Sequence, residues 1–106
     1  MTGEPREVVL IDISKITFTS KIRERNVKYL AEHLEIKKFD PVCAYHDGDR
    51  YILTDGNHRT KALERIGQQY VPAILLTKKE FDFVAFSKNN HIDVMAKIPE
   101  KIKICR

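Results

Sequence analysis

At 106 residues the chain has room for one domain with a single modest core, and none for a second. Hydrophobic residues at 42% and charged residues at 32% exclude a disordered chain, and no apolar run approaches the roughly 20 residues that span a bilayer. The net charge of +4 permits an anionic partner such as a nucleotide or nucleic acid without demanding one. The first six residues lack the apolar stretch of a signal peptide, so the cytoplasm is the expected location. Cys43 and Cys105 make no disulfide framework; they are expected as a buried thiol on a strand and a frayed one near the end.

In chain order, the polar residues 1–6 with Gly3 and Pro5 read as a loose terminus. Val8-Val9-Leu10-Ile11-Asp12-Ile13 is β-branched and continuously apolar, the pattern of a buried strand. A link with Ile16 and Phe18 leads to the basic stretch Thr19-Ser20-Lys21-Ile22-Arg23-Glu24-Arg25. Val27, Leu30, Ala31 and Leu34 then recur at helical spacing, with Asn26 as the expected cap. Pro41 opens a hairpin whose strands are Val42 to His46 and Tyr51 to Thr54, turned at Asp47-Gly48.

A second helix follows from about His58, burying Ala62, Leu63 and Ile66 and stopping at Gly67. Val71 to Leu76 is another buried strand, and Phe81, Val84 and Ala85 mark a short third helix, with Phe83 and Phe86 adding bulk to the core. Ile102 and Ile104 alternate with lysines, as an edge strand or a mobile tail would. The expected architecture is α/β, a mixed sheet packed by two to three helices in a single domain of 1–106. Its core runs over roughly 8–90 and its tail over 91–106.

Chemistry concentrates at Asp55-Gly56-Asn57-His58-Arg59-Thr60, between a strand and a helix. Gly56 lets the backbone turn sharply and approach a ligand, and the helix start exposes unpaired N–H groups at the positive end of its dipole. Such a start favours acidic residues, yet it carries His58 and Arg59, with Lys61 behind and no acid before Glu64. An anion would neutralise both, with Arg59 offering a forked contact, His58 a donor and Thr60 a hydroxyl. The rival reading is an ordinary capped helix with solvated basic residues. Asp55 is either an Asx cap or a ligand for Mg²⁺. Lys21, Arg23 and Arg25 around Glu24 are either a solvated loop or a second wall over the phosphates, with Glu24 as acid or base. The four histidines show no metal-ligand spacing, and there is no Walker loop.

Taken together, Val27-x-x-Leu30-Ala31-x-x-Leu34, the hairpin after Pro41, and Asp55-Gly56-Asn57-His58-Arg59 through Ala62-Leu63, Gly67 and Val71-Pro72 resemble the ParB/sulfiredoxin domain, over roughly Val8 to Asn90. That resemblance implies a phosphate grip by Gly56, Asn57, His58, Arg59 and Thr60, with Arg23 and Arg25 nearby and Mg²⁺ on Asp55. The implied catalytic residues are Glu24, Asp55 and His58, and the implied cofactor is ATP, ADP or CTP. Sulfiredoxins have a cysteine where Asn57 stands, so their sulfinic acid repair is not expected. ParB proteins hydrolyse CTP and place a Glu-Asn pair near the metal where this chain has Asn89-Asn90. The free serine kinase branch carries an Asp-Gly-His-His-Arg segment, which Asp55 to Arg59 resembles most closely. The expected function is nucleotide binding with phosphoryl chemistry, hydrolysis or kinase-type transfer. The alternative is a ParB-like DNA-binding or nuclease module without a helix-turn-helix, and a nucleotide sensor without turnover is a third. Expected partners are a nucleotide, with DNA as the rival and a second copy of the chain for a homodimer, and no membrane.

Overall fold

The computed structural model describes residues 5–35, 38–86 and 94–105, except for the side chain of Phe86. In order they form β1 (Arg6–Glu7), β2 (Val9–Asp12), a 3₁₀ turn (Ile13–Lys15), β3 (Ile16–Thr17), α1 (Glu24–His33), β4 (Val42–Asp47) and β5 (Arg50–Asp55). There follow α2 (Asn57–Arg65), β6 (Tyr70–Leu75), α3 (Lys78–Phe86), β7 (Ala96–Lys97) and β8 (Ile104–Cys105). Six strands make one mixed sheet in the order β3-β5-β4-β6-β2-β8, while β1 and β7 pair separately in parallel. No helix among the described residues is long and apolar enough to cross a membrane.

Strand alternation assigns the two faces. Val42 and Ala44 of β4, Leu53 of β5 and Val71 and Ala73 of β6 join Ile11 and Leu63 of α2 in one buried cluster. Each fully buried Val, Leu or Ile side chain there contributes about 1.5–3 kcal/mol. Tyr45, one residue along from Ala44, points to the other face and stacks on Phe81 of α3 with ring centroids 4.6 Å apart. The sheet is thus covered by α2, with α1 packed on it, on one side and by α3 on the other.

Several sequence expectations are corrected by packing. Helix α1 begins at Glu24, three residues before Val27, and its cap is Arg23 without a side-chain bond; Asn26 lies inside the first turn. An acidic residue at a helix start is favoured by the dipole, which periodicity of apolar residues does not register. Leu34 ends the helix with extended backbone rather than continuing its face, though it still packs against the core. Phe83 is 56% exposed on the outward side of α3, and Ile66 is 41% exposed because it lies just past the end of α2, at its C-cap, rather than on its buried face. Cys105 is not frayed: it sits half-buried in β8, which pairs with β2 and so gives the tail residues 104 and 105 an edge strand. The expected core role of Phe86 and the pair Asn89-Asn90 lie outside what is described.

Arg6, expected in a loose start, is also anchored. Arg6 belongs to β1, and its guanidinium forms a bidentate ion pair with the buried Glu80. Glu80 in turn accepts from the Thr77 N–H at 2.8 Å, while the Thr77 hydroxyl accepts from the Glu80 N–H at 3.2 Å, a capping box for α3. The Arg6 guanidinium, with help from Thr77, holds the Glu80 carboxyl below the usual glutamate range. A lowered folded-state pKa means stability that is complete above the unfolded value of about 4.3 and lost as pH falls through the folded value. Glu80→Gln is expected to cost about 1–3 kcal/mol at neutral pH. It should also flatten the acid limb of the stability curve below about pH 4.3, read by urea denaturation across pH.

Candidate functional site

Strand β5 ends at Asp55 and α2 starts at Asn57, so one residue makes the whole reversal. That residue, Gly56, has φ +89°, the left-handed region that side chains rarely adopt. A Cβ there would stand 2.2 Å from Val42 Cγ1 and 3.1 Å from Arg59 Nη2. The backbone is therefore pressed onto the sheet beneath and under the guanidinium above. No side chain caps α2, and its first turn holds no acid. The N–H groups of Asn57, His58 and Arg59 thus have no intrahelical partner and no side-chain cap.

Around this turn lies an open, polar cavity of about 250 Å³ lined by Ser20, Thr54, Asp55, Gly56, Asn57, His58 and Arg59. The side chains in it have distinct jobs. Arg59 is braced: Nη1 donates to the Asp40 carbonyl at 2.9 Å and Nη2 to Asp55 Oδ2 at 3.3 Å, leaving its other N–H groups for a ligand. His58 Nε2 accepts from the Arg23 N–H at 3.1 Å, which places the ring proton on Nδ1 as a donor. Asp55 is exposed and takes the Arg59 bond rather than an Asx bond to the turn. Two predicted binders face inward instead. Thr60 is fully buried with its hydroxyl on the Gly56 carbonyl at 2.9 Å. Asn57 is buried with its Oδ1 accepting from the Thr19 N–H at 2.9 Å, so it tethers the loop that brings Ser20 to the cavity.

Glu24 is not brought to this lining. It is 70% exposed and ion-paired with Arg65 in the last turn of α2, whose guanidinium hydrogen bond lowers its pKa. Arg23 contributes its backbone to His58, while the side chain of Arg25 lines a neighbouring groove of about 510 Å³ with Asn26, Tyr29, Leu30 and His58. Tyr29 is 61% exposed and stacked on His33 at 4.2 Å. Sequence reading passed over Tyr29; the signal was an aromatic among the polar positions of an amphipathic helix. It also passed over Thr54, which directly precedes Asp55, and Ser20 and Asp40, which approach the site only through the fold. Burial, reinforced by the nearby Asp55 charge, pushes the Cys43 thiol up.

Among the described residues no three His, Cys, Asp or Glu side chains cluster as a metal site. Mg²⁺ is commonly held by one or two carboxylates plus substrate phosphates and water. Asp55, the carboxylate of the cavity, keeps one oxygen outside its bond to Arg59 and fits that pattern.

No protein-family model matches the chain. No curated protein matches it either. Solved structures do. A free serine kinase with bound AMP superposes with TM-score 0.63 at 20% identity, over 80% of this chain and 34% of the kinase. Sulfiredoxin from Arabidopsis thaliana gives 0.57 at 20% identity, over 70% of this chain and 90% of that one. A C-terminally truncated ParB from Caulobacter crescentus, complexed with CTP-γ-S, gives 0.57 at 17% identity, over 82% and 55%. The chain has the ParB/sulfiredoxin-like fold, and it spans about a third of the length of the serine kinase it matches.

Proposed function

We propose that this domain binds a nucleoside di- or triphosphate by its phosphates at the start of α2 and supports phosphoryl transfer or hydrolysis there. The observation that carries the reading is the uncapped, acid-free first turn of α2, with Gly56 at its head and a braced Arg59 over it. Free N–H groups, a positive dipole end and a guanidinium with spare donors converge on one small polar cavity. Structures of this fold with bound AMP and CTP-γ-S support the same reading.

In this reading the phosphates rest on the N–H groups of Asn57, His58 and Arg59, with Arg59 and His58 Nδ1 as side-chain donors. The nucleoside lies along the α1 groove, which meets the cavity at His58, and its base stacks on Tyr29. Mg²⁺ on Asp55 would neutralise charge on the terminal phosphates. Glu24 is the base for the attacking hydroxyl, after exchanging its bond to Arg65 for one to that hydroxyl.

The test is thermal stabilisation by ATP, ADP, CTP and GTP with Mg²⁺, beside a short DNA duplex at two salt concentrations. A nucleotide-selective rise in Tm, weakened in Tyr29→Ala for one base more than for others, is the expected result. A salt-sensitive rise with DNA and none with any nucleotide would replace the reading with a nucleic-acid module.

A further inference from the structure

A second hollow opens on the cavity from the opposite side of the sheet. It measures about 360 Å³ and lies between α3 and the end of β5. Ser20 and Thr54 line both, so the two spaces adjoin at these residues. With the nucleoside on the α1 side, the terminal phosphate points toward this hollow. Its walls are apolar, from Ile52, Phe81, Val84 and Ala85, and its rim carries the hydroxyls of Thr19, Ser20 and Thr54.

The hydroxyls are oriented. Thr19 donates to the Leu53 carbonyl at 2.7 Å and Thr54 to the Cys43 carbonyl at 3.3 Å. Thr19 also accepts from Asn57 Nδ2 at 3.5 Å, which leaves it one lone pair and Thr54 two to receive a hydrogen bond from a ligand hydroxyl. No charged side chain lines the space among the described residues. An amino acid brought here would set its ammonium and carboxylate against apolar walls with no charged partner in the lining, which is unfavourable. A neutral compound with a short apolar body and one hydroxyl meets every group present.

We propose that this hollow is the acceptor subsite and takes a small, neutral, apolar-bodied alcohol. The inference rests on the nucleotide reading above. In the transfer the alcohol oxygen bonds to the terminal phosphorus, and the bond from that phosphorus to the bridging oxygen breaks. The nucleotide, shortened by one phosphate, leaves with that electron pair, and the hydroxyl proton passes to Glu24, which reaches it on leaving Arg65.

The experiment uses the intact chain with ADP and Mg²⁺, and benzyl alcohol, cyclohexanol and L-serine as probes in saturation-transfer NMR. Stabilisation by ADP is read first and alone; its absence overturns the nucleotide reading and the acceptor role together. With ADP bound, the alcohols should receive saturation and shift the Ala85 methyl resonance, and L-serine should do neither. Ala85→Trp fills the hollow from an exposed helix position. It should abolish alcohol binding and leave ADP stabilisation unchanged. Alcohol binding that survives Ala85→Trp, or selective binding of L-serine, overturns the subsite while leaving the phosphate site standing.

Discussion

Replacing Gly56 by alanine should cost the domain roughly 2–5 kcal/mol, a large share of the ~5–15 kcal/mol that holds such a domain folded. Two effects add. The left-handed backbone at φ +89° disfavours any side chain by about 1–2 kcal/mol. The new methyl would also overlap Val42, whose Cγ1 lies 2.2 Å from where it must go. Val42 is fully buried in the sheet, so it has no free rotation into solvent, and overpacking of that kind costs about 1–3 kcal/mol. Gly48 supplies the control. It has φ +63° and nothing within 4 Å of an added Cβ, so Gly48→Ala should show only the backbone cost. Urea denaturation of both variants separates the two effects. Equal losses at the two positions would mean that the close approach of Gly56 to Val42 is not a real constraint.

Arg59→Ala should lower nucleotide affinity by roughly 10- to 100-fold while the domain stays folded. Charge-assisted hydrogen bonds are worth about 1.5–3 kcal/mol each, and about 1.4 kcal/mol is tenfold in affinity. The structural loss is smaller. The bond to the Asp40 carbonyl is worth about 0.5–1.5 kcal/mol, and the exposed pair with Asp55 contributes little. Arg59→Lys should recover only part of the affinity, because a point charge cannot use the forked geometry that two braces now orient. Isothermal titration with the nucleotide chosen by thermal screening, alongside circular dichroism, reads both quantities. A folded Arg59→Ala variant with unchanged affinity would remove the phosphates from α2.

The two predictions also mark how far the residues alone could be read. The break at Asp55-Gly56, the basic first turn and the missing acid are all visible within six residues, since helix starts, dipoles and turns are local physics. The hairpin and the stop at Gly67 were legible for the same reason; Gly67 sits at φ +90°, with its N–H on the Glu64 carbonyl and that of Gln68 on Leu63. Helix periodicity located α1 through Val27 but missed its polar first turn, which carries no apolar repeat to reveal it.

What a side chain does with its neighbours was a different matter. Asn57 and Thr60 look, in sequence, as available to a phosphate as His58 and Arg59. Helical geometry turns Asn57 and Thr60 inward together, three residues apart on the buried side of α2. Glu24 meets Arg65 only because α1 packs against α2, a contact between residues 41 apart in the chain. Arg6 and Glu80 meet across a still longer separation. Sequence by itself determined the α/β class, the order of the central elements and the sharp, acid-free start of α2, because each follows from short-range periodicity, turn chemistry and charge. Tertiary structure alone decided which of those residues face the cavity, which brace it from behind and which groove adjoins it. Those outcomes depend on the direction of side chains set by packing between distant segments, and no local preference encodes that direction.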